Sequence, residues 1–170
     1  GSRSVEQAAQ IASGWLPLWT PFQNLPALVD GFHEAASEAG RTDDLPLVRS
    51  PGTLYVTDTD SVERTRQAVT RKFAYYISRM GMAYYNHVSR LGYGSEAEVI
   101  KAAFDSDGSA GGTEAVPADL QQNLCLVTDS IEAARDWLAE QDEAGVAIHL
   151  VNVHATSPDE ASRTYERLIG

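Results

Sequence analysis

The side chains best suited to proton transfer near neutral pH are four histidines, His33, His87, His149 and His154. None of them has the spacing of a metal-binding pair. His149 alternates with apolar residues in a predicted strand, so it is interpreted as a core residue. His154 follows the predicted end of that strand, near Asn152, and is our candidate for a general acid or base. The sequence shows no Ser-His-Asp, P-loop or G-x-G-x-x-G pattern.

A second candidate site lies at the start of the chain. Gly1, Ser2, Arg3 and Ser4 open a predicted helix, where free N–H groups and the helix dipole favour an anion. Two hydroxyls and a guanidinium add hydrogen-bond donors. This predicts an anion site if Gly1 and Ser2 are native. The alternative is that they are the remnant of a cloning tag ahead of an ordinary capped helix.

A third candidate is a cluster of aromatic and polar side chains within residues 75–87. Arg79 is a candidate partner for a phosphate or a carboxylate tail, and the tyrosines could stack on a ring. The alternative is that this stripe, at helical spacing, packs in the core. The members of the cluster are Tyr75, Tyr76, Arg79, Met80, Tyr84, Tyr85 and His87.

The composition excludes several classes of function. The 170 residues, 43% of them apolar, suffice for one domain spanning 1–170. The net charge of −11 repels the phosphates of nucleic acids and anionic lipid heads. No apolar run approaches the ~20 residues that cross a bilayer, and no export signal is visible. Cys125 is the one cysteine, is predicted to be a buried small hydrophobe, and favours a reducing, cytoplasmic setting.

The elements that must position these residues alternate between helix and strand. Extended runs are predicted at 15–19, 53–56 and 146–153, the last being the strongest strand. Helical periodicity or capping marks 3–13, 25–36, 62–80, 82–91, 95–104, a short helix from Pro117, and helices ending at Gly145 and starting at Ser157. The glycine- and serine-rich segment 105–113 is predicted to be a mobile loop.

This alternation predicts parallel strands joined by right-handed crossovers. Three such strands form a small sheet with two exposed edges, whereas parallel sheets normally have both faces covered. The sequence therefore indicates part of a larger α/β structure.

Several segments of the chain resemble luciferase-like monooxygenases. Residues 9–17 (AQIASGWLP) resemble the family's helix-to-strand passage, and residues 76–94 (YISRMGMAYYNHVSRLGYG) resemble a helical insertion of its deazaflavin-dependent branch. Residues 115–120 and 127–146 are also similar to the family, in the same order. The resemblance implies an eight-stranded (β/α) barrel, of which this chain matches the C-terminal half with about three parallel strands and a helical insertion at about 78–123.

The resemblance also implies a cofactor, either coenzyme F420 or FMN. In the family, the helix start equivalent to residues 1–4 helps to hold the cofactor phosphate. Trp19 and Thr20 would lie near the ring at the carboxyl end of a barrel strand, and His154 would occupy the same end of another. The alternative for the tryptophans Trp15 and Trp19 is that both pack in the core.

Three functions stay open at this point. The first is a fragment or subunit of a flavin- or F420-dependent oxidoreductase that acts on a small organic substrate, with another polypeptide supplying the missing N-terminal strands. The second is a non-catalytic half-barrel that self-associates through its open sheet edges or acts as a partner subunit. The third is an unrelated small α/β binding domain.

Overall fold

The computed structural model describes residues 2–42 and 45–170, in which helices alternate with parallel strands. The first half contains α1 (Ser2–Ile11), β1 (Gly14–Trp15), α2 (Leu25–Glu38), β2 (Leu47–Val48), β3 (Thr53–Val56) and α3 (Val62–Arg79). The second half contains α4 (Met82–Val88), α5 (Gly94–Glu114), α6 (Ala118–Leu124), β4 (Cys125–Thr128), α7 (Ile131–Glu143), β5 (Val151–Val153) and α8 (Pro158–Ile169).

One extended segment, residues 47–56, connects all the strands. It contains β2 and β3, and every strand pairing is parallel: β1 pairs with β2, and β3 lies between β4 and β5. The N–H of Arg49 donates to the carbonyl of Trp15 at 2.8 Å, whereas the N–H of Ser50 donates to that of Ile148 at 2.7 Å. Successive residues thus bind opposite neighbours, as the alternation of a strand requires.

Three buried clusters surround this segment. The first packs α1 and α2 against Trp15, Val48 and Val146, with the Trp15 ring stacked on Phe32 at 4.5 Å. The second packs α3 and α5 against β4 and Trp19, and the third packs α7 and α8 against β3 and β5. Helices therefore cover both faces of the β4-β3-β5 sheet, as expected for parallel strands.

The prediction of a mobile loop over 105–113 is wrong. Helix α5 continues to Glu114, and the chain breaks direction at Gly108, where φ is 67°. A Cβ at Gly112 would lie 2.5 Å from the Phe104 side chain. The glycines therefore permit close packing of the two arms around Gly108, a long-range reason that composition does not reveal.

The strands predicted at 146–153 and 15–19 are shorter in the structure. The N–H groups of Ala147 and Ile148 both donate to the carbonyl of Val48, at 2.8 and 3.3 Å, which interrupts the ladder as a bulge does. Regular pairing resumes only in β5. On the other side, β1 ends at Trp15, before Pro17, whose missing N–H cannot join a ladder.

One face of the β1-β2 sheet carries three half-exposed apolar side chains beside Arg49. Trp15 and Val48 pack toward α1 and α2, so their neighbours Leu16 and Leu47 project from the opposite face. Ile148, which bridges to Arg49, lies on that opposite face too. Leu16, Leu47 and Ile148 are 46%, 51% and 44% exposed. A parallel sheet with an open apolar face is typical of an incomplete layer.

The tight approach of Gly52 to the last residue of α6 predicts that adding one methyl group has a large effect on stability. A Cβ at Gly52 would collide with the backbone carbonyl of Leu124, which a side-chain rotation cannot relieve. We expect Gly52→Ala to lower the free energy of unfolding by about 1–3 kcal/mol in urea titrations. The matched control is Gly31→Ala in α2, where no atom lies within 4 Å of the new Cβ. It should be neutral or stabilising by up to about 1 kcal/mol; equal losses in both variants would contradict the packing argument.

Candidate functional site

The carboxyl ends of β3, β4 and β5 meet at one edge of the sheet, because the strands are parallel. Polar side chains follow each of the three ends: Thr57 and Asp58, Asp129, and His154. Together with residues of α8 they line a cavity of about 150 Å³. We call this group the carboxyl-edge site, and it is where a (β/α) barrel places its chemistry.

His154 is held at this edge by its main chain and leaves its ring accessible. Its N–H donates to the carbonyl of Val56 at 2.8 Å. Its Nδ1 lies 3.4 Å from the Thr57 hydroxyl oxygen and 3.7 Å from Asp58 Oδ2, and the side chain is 58% exposed. The imidazole is therefore oriented by neighbours on one side and open to a ligand on the other.

Asp58 remains ionised at this edge over a wide pH range. The Ser61 hydroxyl lowers the pKa of Asp58, and the nearby His154 acts more weakly in the same direction. Asp129, after β4, accepts a hydrogen bond from the Thr59 hydroxyl at 2.6 Å. Two carboxylates from different loops thus line the same cavity as the imidazole.

The start of α8 forms the remaining wall. The Glu160 carboxylate accepts hydrogen bonds from the N–H of Thr156 at 2.8 Å and from its hydroxyl at 2.6 Å. Ser157 is the N-cap of α8, and its hydroxyl accepts a hydrogen bond from the N–H of Glu160 at 3.2 Å, while Glu160 binds the residue just before the cap. These bonds to Thr156 lower the pKa of Glu160. Arg167 also lines the cavity and is a cation among three carboxylates.

Trp19 is buried in the core, which is the alternative considered for it above. Its ring meets Phe73 edge-on at 4.8 Å and lies 5.0 Å from Tyr84, and neighbouring Thr20 is also buried. Its φ of 42° is positive, and its carbonyl accepts a hydrogen bond from His87 Nε2 at 3.2 Å. Neither feature has a signal in the sequence. A role for Trp19 and Thr20 toward a cofactor stays a prediction.

Arg79 is engaged within the helical segment. Its guanidinium pairs with Asp105 at 2.7 Å and lies 4.7 Å from the centre of the Phe104 ring, while Lys101 binds the same carboxylate at 3.0 Å. These two cations lower the pKa of Asp105. The binding of an anionic ligand by Arg79 stays a prediction and would have to compete with Asp105.

The predicted anion site at the chain start is described in part. Gly1 lies outside the described residues, and α1 begins at Ser2 with Arg3 exposed. The first turn of α1 contains no acidic residue, so nothing there opposes an anion at its N–H groups. The roles proposed for Ser2 and Ser4 stay predictions.

His33, His149 and Cys125 lie away from the carboxyl-edge cavity. His33 Nε2 lies 3.1 Å from the carbonyl oxygen of Pro46, and His149 Nε2 lies 2.7 Å from an Asp142 oxygen. Burial raises the pKa of the Cys125 thiol to about 11, so it is unreactive at neutral pH. Among residues 2–42 and 45–170, no group of three His, Cys, Asp or Glu side chains could hold a metal ion.

The comparisons with known proteins agree with this arrangement. The family model of luciferase-like monooxygenases matches residues 1–147. The chain therefore belongs to the luciferase-like monooxygenase family, as the sequence motifs predicted. No curated protein matches it significantly.

A solved structure confirms the fold class. The coenzyme F420 dependent tetrahydromethanopterin reductase from Methanopyrus kandleri superposes with a TM-score of 0.66 at 21% identity. The match covers 99% of this chain but 46% of that chain, so this chain spans about half the length of its structural relative. The fold is thus a partial (β/α) barrel. No helix in the described part of the chain is long and apolar enough to cross a membrane.

The capping of α8 by Glu160 predicts a pH-dependent stability. Because the folded-state pKa of Glu160 is lowered, its carboxylate stabilises the fold above its ordinary pKa. That contribution is lost as the pH falls through the lowered value. We expect Glu160→Gln to reduce the Tm at neutral pH and the difference from the wild type to shrink between about pH 5 and about pH 3.

Thermal unfolding followed by circular dichroism measures this effect. The control is Glu140→Gln in α7, since Glu140 makes no side-chain hydrogen bond in the described part of the chain. It should leave the Tm nearly unchanged at every pH. A Tm deficit of Glu160→Gln that stays constant down to about pH 3 would show that the lost group is not the carboxylate.

Proposed function

We propose that this chain is the C-terminal part of a flavin- or coenzyme F420-dependent oxidoreductase that acts on a small organic substrate. The observation that carries this proposal is the family match over residues 1–147. The relative from Methanopyrus kandleri is named as coenzyme F420 dependent, which favours the deazaflavin over FMN. The helical segment between α3 and β4, which resembles the deazaflavin branch, supports the same choice.

The described residues fit such a cofactor in part. The carboxyl-edge site encloses about 150 Å³, well below the roughly 300–1,000 Å³ of complete small-molecule pockets. It therefore supplies one wall of a ring-binding cavity. The start of α1, with Arg3 and no acidic residue in its first turn, suits the cofactor phosphate, with Gly1, Ser2 and Ser4 as further donors.

The residues of this chain would position the substrate and exchange protons with it, since a bound flavin or F420 itself supplies the hydride or oxygen chemistry. His154 is our candidate for proton exchange with the substrate, because its ring is accessible and oriented. Asp58 Oδ2, at 3.7 Å from His154 Nδ1, would help to orient the imidazole. Trp19 and Thr20 would support the ring cavity from the end of the neighbouring strand, and Arg79 would meet an anionic tail.

The half-exposed apolar face suggests that a second polypeptide segment covers it in the active protein. Leu16, Leu47 and Ile148 lie where the interior of a complete barrel would be filled by side chains of the other strands. The missing N-terminal strands, or a second chain that carries them, would cover this face and enlarge the carboxyl-edge site. Homo-oligomers are the alternative partners.

A non-catalytic role is the second candidate function. The same apolar face favours it, because two copies that buried Leu16, Leu47 and Ile148 against each other would form a stable pair without a cofactor site. The net charge of −11 on each copy opposes this association at low salt.

Native mass spectrometry with cofactor titration distinguishes the two candidates. If the oxidoreductase proposal is correct, the chain should assemble with a polypeptide that carries the N-terminal strands of a family member. The assembly should bind coenzyme F420 or FMN at least about 100-fold more tightly than the chain alone, because only a closed cavity encloses the ring. A stable homo-oligomer that does not bind the second polypeptide or a cofactor would instead favour the non-catalytic role.

In the assembled protein, His154→Ala should lower turnover by about 10²- to 10⁴-fold if His154 exchanges a proton with the substrate. His154→Gln, which keeps hydrogen bonding but cannot be protonated, should be similarly impaired. The control is His33→Gln, since His33 contacts the Pro46 carbonyl and does not line the carboxyl-edge cavity. Steady-state kinetics measure the effect, and unchanged turnover in His154→Ala would remove His154 from the mechanism.

A further inference from the structure

A second cavity lies between α3 and the chain that follows Gly108, and it shares no residue with the carboxyl-edge site. Its volume is about 420 Å³, which is large enough for a molecule of amino-acid size. One wall is the face of α3 that carries Arg66, Thr70 and Arg71. The other runs from the second arm of α5 to α6. We call it the α3–α6 cavity.

The α3–α6 cavity has a defined floor and an apolar wall. Val116 is 8% exposed and Gln121 is 5% exposed, so both are fixed in the core beneath it. Pro117 and Ala118 continue the apolar wall. The reversal at Gly108 and the close packing of Gly112 on Phe104 hold this wall opposite α3. The cavity is therefore built from fixed residues of two separate elements.

The α3–α6 cavity is lined by two arginines and two glutamates. Arg66 pairs with Glu63 at 3.0 Å, so these two charges compensate each other. Arg71 on α3 and Glu114 on the opposite wall both line the cavity. Within the described part of the chain, neither makes an ion pair or side-chain hydrogen bond, with each other or with any other group. One exposed cation and one exposed anion, neither with a partner in the described part of the chain, thus line the same cavity beside its apolar wall.

We propose that the α3–α6 cavity binds a zwitterion with an apolar body, namely a free α-amino acid with an aliphatic side chain. The guanidinium of Arg71 would receive the carboxylate, because its planar fork matches carboxylate geometry. The carboxylate of Glu114 would receive the ammonium group. Val116, Pro117 and Ala118 would contact the aliphatic side chain. This inference does not depend on the proposed oxidoreductase activity.

Three related probes test this arrangement on the full chain. L-leucine has both charges, N-acetyl-L-leucine lacks the ammonium group, and L-leucinamide lacks the carboxylate. Titrations followed by two-dimensional amide NMR should show saturable shifts for leucine at Val116, Ala118 and Gln121. Each modified probe should bind at least about fivefold more weakly, since one charge-assisted contact is lost.

Two variants assign each charge to its partner. Arg71→Gln should weaken leucine binding so that leucine no longer binds more tightly than leucinamide, although it still binds more tightly than N-acetyl-leucine. Glu114→Gln should remove the preference of leucine over N-acetyl-leucine and keep its preference over leucinamide. Neither residue makes a side-chain contact that the fold depends on, so both variants should fold. The control is Arg135→Gln in α7, which makes the same charge change away from the cavity.

The proposal is overturned by any of three results. The first is the absence of saturable shifts with leucine up to about 20 mM, which corresponds to binding too weak to be specific. The second is equal binding of all three probes, which would indicate an apolar cleft without charge recognition. The third is retention of the wild-type preferences by both variants, which would show that Arg71 and Glu114 do not contact the ligand.

Discussion

The fold depends on the backbone hydrogen bonding of one segment, residues 47–56, which is paired along both edges. Residues of β1 and then β4 occupy one edge, and residues 146–154 occupy the other. Each of the three buried clusters contains side chains from this segment or packs directly against it. Because a buried main-chain group without a partner is costly, the chain cannot shift one strand without disturbing the others. The bulge at Ala147 and Ile148 is absorbed within this same ladder.

This pairing also explains why the chain forms part of a barrel. The pairing fixes parallel strands whose carboxyl ends lie together. Helices α1, α2, α7 and α8 cover the apolar side chains of these strands. The pairing provides no cover for Leu16, Leu47 and Ile148 on the opposite face of the first sheet. A family match over residues 1–147 and a structural match to 46% of a longer chain agree with that geometry. The open face is thus a consequence of which strands are present.

The sequence predicted the features that depend on local pattern. It located β3 at residues 53–56, the end of α7 at Gly145, and His154 just beyond the last strand. The sequence-based predictions were wrong where contacts between residues distant in the chain determine the local structure. The break at Gly108 depends on packing against Phe104, and the short β5 depends on two N–H groups that share the Val48 carbonyl. The positive φ of Trp19 and the ion pair of Arg79 with Asp105 likewise depend on contacts with other elements.

The distribution of charge distinguishes the carboxyl-edge site from the start of α1. The carboxyl-edge site carries Asp58, Asp129 and Glu160 against one arginine, so it attracts hydrogen-bond donors and repels phosphate. In the proposed function, a cofactor would therefore direct its ring or its substrate-facing side to His154 and its anionic end elsewhere. Helix α1, with no acid in its first turn, offers the opposite field.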